Sequence, residues 1–194
     1  MKKQPIRCTW PGDDERIIAY HDDEWGVPVH DDAKHFEFLV LDAFQAGLSW
    51  KTILHRREGF RKAFANFDVN KVAKFTDKQV EKLMLDEKII RNRLKITGSV
   101  KNAKAFITLQ KEFGSFDKYI WQFTGNKIID GKRKTPGDVP ATSVESDAMS
   151  KDLKKRGFTF VGSTICYAYM QAAGLINDHL KNCFCKEFLN VKKQ

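Results

Sequence analysis

The chain has 194 residues, is 42% hydrophobic and 30% charged, and carries a formal net charge of +9. That length fits one domain with a real core, and fifteen Phe and four Trp exclude a disordered composition. No apolar run approaches the ~20 residues of a helical membrane span. No apolar signal core follows the basic start Met1-Lys2-Lys3, so the expectation is a cytoplasmic monomer without a membrane role. Surplus positive charge favours a polyanionic partner, nucleic acid first.

The elements in chain order read as helix after helix. Phe36, Leu39, Val40, Ala43 and Phe44 recur at helical spacing. Val80, Leu83 and Met84 mark a short amphipathic piece that Asp77 is placed to cap. Ile89, Ile90 and Leu94 lead, through an expected break near Gly98, to Val100, Ala103, Phe106 and Ile107. Phe116, Tyr119, Ile120 and Phe123 repeat the pattern. The stretch 146–157 begins with cap-type residues and ends in Lys154-Lys155-Arg156-Gly157, as the helix dipole favours. Thr164 to Ile176 predicts a last, strongly apolar helix. Sustained strand alternation is missing; Asp130-Gly131 is a hairpin signal inside a long polar loop, 125–140, with at most a tiny ribbon. The fold class predicted is all-α, one domain over 1–194.

Charge is divided along the chain. Residues 1–50 sum to −5 and residues 51–194 to +14. From Lys88 to Lys111 there are seven basic residues and no acidic one, either a solvated helix face or a grip on an anionic backbone.

Four cysteines, Cys8, Cys166, Cys183 and Cys185, point in an intracellular chain to a metal or plain thiols before disulfides. Cys8-x12-His21 lies near one end and His179-x3-Cys183 near the other. His179 and Cys183, at i and i+4, can face one ion, and Cys8 with His21 would complete a tetrahedral set of the kind zinc accepts. Such a site would clip the chain ends together. Spacing leaves Cys185 open as a rival to Cys183, while Cys166 reads as a buried thiol.

The first fifty residues also hold Trp10, Tyr20, Trp25 and Trp50 beside the acids Asp22, Asp23, Glu24 and Asp42. Aromatic faces attract cations and stack on planar bases, and a carboxylate accepts from base N–H groups. Asp42 has the most apolar context of any acid here, between Phe38 and Phe44. A carboxylate buried there needs a partner or a function; the alternative is that it faces out or caps a backbone N–H. Asp22-Asp23-Glu24 reads as a helix start or solvated turn, and Trp25 as packing. No Ser/His/Asp set, P-loop or dinucleotide glycine motif is present.

Several ordered blocks resemble the type I DNA-3-methyladenine glycosylases: residues 19–28 (AYHDDEWGVP), 45–50 (QAGLSW), 89–96 (IIRNRLKI), 150–158 (SKDLKKRGF), 160–162 with 173–175, and Asn177-Asp178-His179. They run from about residue 8 to 185. The resemblance implies a helix-hairpin-helix DNA glycosylase fold with the hairpin near 89–101. It implies one structural zinc ion per chain on Cys8, His21, His179 and Cys183. It implies base-excision repair of alkylated double-stranded DNA by hydrolytic release of 3-methyladenine, without strand cleavage; a catalytically silent lesion sensor of the same fold is the alternative. The base pocket would comprise Asp42 and Tyr20, as catalytic residues, with Trp50 and Trp10. Arg91, Arg93 and Lys95 would hold phosphates. The chain departs from the family where Asp42 replaces the usual Glu and Ile17 an aromatic, which leaves the breadth of base specificity open.

Overall fold

In a computed structural model, which describes residues 5–186, the apolar run ahead of Asp42 becomes the centre of the molecule. Helix α1 (Glu15–Asp23) is capped by the Asp14 carboxylate, which accepts from the Arg16 and Ile17 amides. Asp22 and Asp23 therefore close α1 rather than start a helix, and Glu24 is its C-cap. Helix α2 (Asp32–Gln45) follows, with ten successive buried residues from His35 to Phe44. A helix covered on every side is a core helix, so all its faces, that of Asp42 included, are turned from solvent.

Helices α3 (Trp50–His55), α4 (Arg57–Ala63), α5 (Val69–Val72) and α6 (Asp77–Met84) wrap one side of α2 and α7. Thr76, not Asp77, caps α6, in a reciprocal box with Gln79; Asp77 is the first helical residue. After a turn at 85–92 comes α7 (Arg93–Phe113), capped by Asn92 and closed by Gly114 at φ +86°. The break expected at Gly98 does not occur. Gly98 lies buried inside α7, where a Cβ would stand 2.9 Å from the Phe160 ring, so glycine is there for close packing.

Helix α8 (Phe116–Trp121) stacks its Phe116 on Phe106 of α7 with centroids 4.1 Å apart, and Phe106 meets Phe36 of α2 edge-on. Fully burying such a ring contributes roughly 1.5–3 kcal/mol. Helices α9 (Val144–Lys155) and α10 (Ser163–Ala172) form the other wall, α9 starting at Ser143 in a capping box. The last apolar segment is shorter than its pattern predicts: α10 ends at Ala172, and Gly174, at φ +72°, packs its Cα against the Val27–Pro28 backbone. Two short strands, β1 (Ile129–Asp130) and β2 (Ile176–Asn177), pair in parallel. The Asp130-Gly131 signal thus marks no hairpin; Gly131 leaves room for the Asp178 carboxylate, which a Cβ would strike.

Candidate active site and metal centre

α1 directs two neighbouring side chains to two different places. His21 faces Cys8, His179 and Cys183, and one ligand atom from each of the four lies within 4.8 Å of the others. All four residues are buried. Cys183 Sγ is 3.6 Å from His21 Nε2 and 3.5 Å from His179 Nδ1, and Cys8 Sγ is 3.7 Å from His179 Nδ1. Edges of that length suit a tetrahedron with bonds of about 2.0–2.3 Å. The outer nitrogens are already engaged: His179 Nε2 donates to the Trp25 carbonyl at 2.9 Å, and His21 Nδ1 donates to Asp22 at 2.8 Å. Arg7 in turn holds Asp22. Both rings therefore present a lone pair inward, the arrangement that metal-ligating histidines require. Cys185 sits near the wrong nitrogen, 3.9 Å from His21 Nδ1, and points to the carbonyls of His21 and Asp22. It belongs outside the four, which could hold a metal ion.

Tyr20, one residue earlier, faces a cavity of about 310 Å³. Trp10, Trp25, Trp50, Pro136 and Val139 wall it with rings and aliphatic carbon, Ala168, Gln171 and Ala172 enter from α10, and Asp42 and Gln45 from α2. Cys8, Leu180 and Asp178 join it to the metal centre. The Tyr20 and Trp50 centroids are 5.2 Å apart, and Trp10 meets Tyr20 and Trp25 edge-on at 6.4 and 5.1 Å. Asp42, Tyr20, Trp50 and Trp10, drawn from α1, α2, α3 and the N-terminal segment, thus line one hollow.

Two buried atoms in this hollow lack any partner: Asp42 Oδ2 and Trp50 Nε1 are the unpaired buried side-chain polar atoms among the described residues. Leaving such groups unpaired is costly. Burial alone pushes the Asp42 carboxyl well above the usual carboxylate range. Burial, with Asp42 adding to it, pushes the Tyr20 phenol well above its ordinary value, and it stays an O–H. Ile17, by contrast, is buried in the core and does not line the cavity.

The basic segment divides. Arg91 and Arg93 are exposed at the end of the 85–92 turn, Arg93 gripping Glu81 at 2.5 and 2.7 Å and Arg91 standing 3.6 Å from Glu87. Lys95 corrects the expectation. It is 6% exposed, and its ammonium donates to the carbonyls of Phe44 at 2.8 Å and Ala46 at 2.6 Å. At the third position of α7 its stem runs inward against α2, so it is not available to a phosphate on the surface.

The second wall of the cavity comes from α10. Ala168, Gln171 and Ala172 share a helical i, i+3, i+4 face whose small residues leave room for a ligand, a signal the apolar reading of α10 absorbed. Gln171 is aimed by Asp178, which accepts from its amide and from Tyr167 and Arg133. Asp178, in the Asn177-Asp178-His179 stretch, and Pro136 and Val139, in the polar loop 125–140, also line the cavity.

A family model described as methyladenine glycosylase matches residues 10–186. The chain is 46% identical over 179 residues to DNA-3-methyladenine glycosylase 1 of Escherichia coli, covering 92% of this chain and 96% of that protein. Its fold is similar to a crystal structure of 3-methyladenine DNA glycosylase I, with a TM-score of 0.91, 44% identity and coverage of 93% and 99% of the two chains. A crystal structure of a variant 3-methyladenine DNA glycosylase I in complex with 3-methyladenine gives a TM-score of 0.90 at 33% identity, covering 93% and 97%.

Proposed function

Because the chain belongs to the methyladenine glycosylase family, we propose that it excises 3-methyladenine from alkylated double-stranded DNA as a monofunctional base-excision repair glycosylase. The observation that carries the reading is the pair of orphaned polar atoms, Asp42 Oδ2 and Trp50 Nε1, inside an aromatic cavity. A flipped purine supplies what they lack: amino hydrogens for the carboxylate and a ring-nitrogen lone pair for the indole N–H.

Alkylation at N3 gives the base a positive charge, so it leaves its sugar as a neutral product and needs no strong general acid. Binding is the selective step. Burial favours the protonated Asp42 carboxyl in the open cavity; as the cation docks, that proton passes to solvent and the carboxylate accepts from the exocyclic amine. Tyr20 and Trp50 stack on the base or hydrogen-bond it, and Trp10 closes the hollow from the N-terminal side. The ionised Asp42 then stabilises the developing charge at the sugar while water adds to it. Placing the carboxylate one methylene back from that of a Glu leaves depth beside the base, where specificity can widen.

The hairpin expected at 89–101 moves earlier, because 93–101 is the first half of the unbroken α7; residues 77–113 are read as the helix-hairpin-helix, with the 85–92 turn as the hairpin, and the chain as one domain. Arg91, Arg93 and the backbone amides of that turn hold phosphates. Cys8, His21, His179 and Cys183 would bind one zinc ion, whose two thiols and two imidazoles are a donor set zinc accepts. With four protein ligands it would supply a cross-link and leave no open position for chemistry. The test is incubation with methylated duplex DNA and identification of the product: free 3-methyladenine without strand nicking is expected, and duplex binding without base release would point to a lesion sensor.

A further inference from the structure

The buried ammonium of Lys95 joins two parts of the molecule that the proposed function keeps separate. Asp42 and Gln45 lie on the last turns of α2, and Trp50 opens α3; all three line the cavity. Only the four residues 46–49 connect them, with Gly47 at φ +78° and Leu48 exposed. The last carbonyls of a helix have no intrahelical partner, and those of Phe44 and Ala46 find theirs in Lys95 Nζ. The cation suits the negative end of the α2 dipole, yet among the described residues no carboxylate pairs with it. Lys95 itself sits on the first turn of α7, its amide held by the Asn92 cap and two residues from Arg93. One side chain therefore fixes the turn between Asp42 and Trp50 to the helix start that carries the phosphate-binding arginines.

We infer that Lys95 is a positioning residue: it sets the 46–49 turn, and through it the spacing of Asp42 from Trp50, relative to the duplex-gripping turn at 85–92. This rests on the glycosylase reading above. Its consequence is specific. Lys95 touches no phosphate, so it acts on what the cavity does with the base and not on how the surface holds the duplex.

The test compares the full-length wild type with Lys95→Met, which keeps the stem and removes the donor. The expected result is a fall of about tenfold in kcat and a several-fold loss of affinity for free 3-methyladenine, read by tryptophan fluorescence, since misplacing a reacting group is costly. KM for methylated duplex and the salt dependence of duplex binding should stay within twofold. A salt slope shallower by about one, with base affinity unchanged, would make Lys95 a phosphate contact and overturn the inference. A lowered melting temperature with kcat and base affinity intact would overturn it too, as a stabilising role only. Lys95→Arg covers the case in which the Met protein fails to fold. It keeps a charge that a phosphate would accept, but its planar fork does not fit the two-carbonyl seat. Positioning predicts reduced kcat for it at unchanged KM, and a phosphate role predicts full activity. A wild-type protein that releases no base defeats the glycosylase reading itself, before any variant is made.

Discussion

The metal centre and the cavity are adjoining buried polar clusters that share Cys8, and they treat their polar atoms in opposite ways. In the metal centre each imidazole has its outer nitrogen satisfied by a carbonyl or a carboxylate, and only the inward lone pairs and thiols are left. In the cavity the orphans, Asp42 Oδ2 and Trp50 Nε1, are ends that point at nothing in the protein. A cluster locked from behind is suited to a ligand that stays, and a cluster with loose ends to one that leaves. On the reading proposed above, the same contrast separates a structural metal site from a base pocket. α1 places the two side by side, because Tyr20 and His21 are consecutive and diverge by about 100° around the helix.

Removing the metal should have the largest effect. If Cys8, His21, His179 and Cys183 hold zinc as proposed, chelation, or Cys183→Ser, takes away a cross-link between residues near the two ends, and structural zinc of this type contributes on the order of 10 kcal/mol to folding in small domains. The expected outcome is a melting temperature lower by tens of degrees, with metal analysis giving about one zinc per chain beforehand. A protein that melts unchanged without metal would mean that the four residues pack as well empty, and the contrast would collapse on that side.

Next comes Asp42→Asn, which should move activity and stability in opposite directions. Base release should fall about a hundredfold, the scale for losing one preorganised charge-stabilising group. Stability should rise above about pH 4, because an amide has no proton to take up on folding. The sign with pH follows from the raised pKa of the folded carboxyl. Above about pH 4 the unfolded chain ionises Asp42 while the folded chain holds the proton, so wild-type stability is eroded as pH rises. The gap to the Asp42→Asn protein should open from about pH 4 and level off where the folded carboxyl finally ionises. Thermal melts across pH check this; a variant less stable than wild type at neutral pH would show that Asp42 is a structural group with a partner. The wild-type rate on methylated DNA should climb with pH over the same range, and the substitution should flatten that limb.

What the sequence made legible follows the same division. Cys8, His21, His179 and Cys183 were only partly readable: ligand chemistry offered them but left Cys185 as a rival, and it was the family resemblance that singled out the four the fold brings together. The all-α class and α2 were readable because apolar periodicity is local. The inward turn of Lys95 was not, since a lysine in an acid-free run at the end of a turn looks like a surface charge. Its fate was set by the two carbonyls that α2 leaves open some fifty positions earlier. Gly98 misled for a related reason: its lack of a side chain serves Phe160, far away in sequence, and not its own helix. The α10 wall was hidden because Ala168 and Ala172 look like ordinary core, and only the hollow opposite them gives their small size a purpose.

The smallest expected effect belongs to the exposed arginines, and here the contrast between occupied and open groups applies on the surface. Arg93 is already paired in a fork with Glu81, whereas Arg91 has only a distant Glu87. Both are exposed, and exposed pairs of this kind contribute little to stability. A phosphate approaching Arg93 must therefore displace or share the Glu81 contact, while Arg91 is free to turn. Arg91→Ala should make the salt dependence of duplex binding shallower by about one and weaken binding a few-fold at moderate salt, equally for methylated and undamaged DNA. Arg93→Ala should change the slope less. Binding titrations over a range of salt decide it. If the two substitutions act alike, the Glu81 pair yields to phosphate without penalty, and occupancy in the free protein does not predict which surface group the duplex uses.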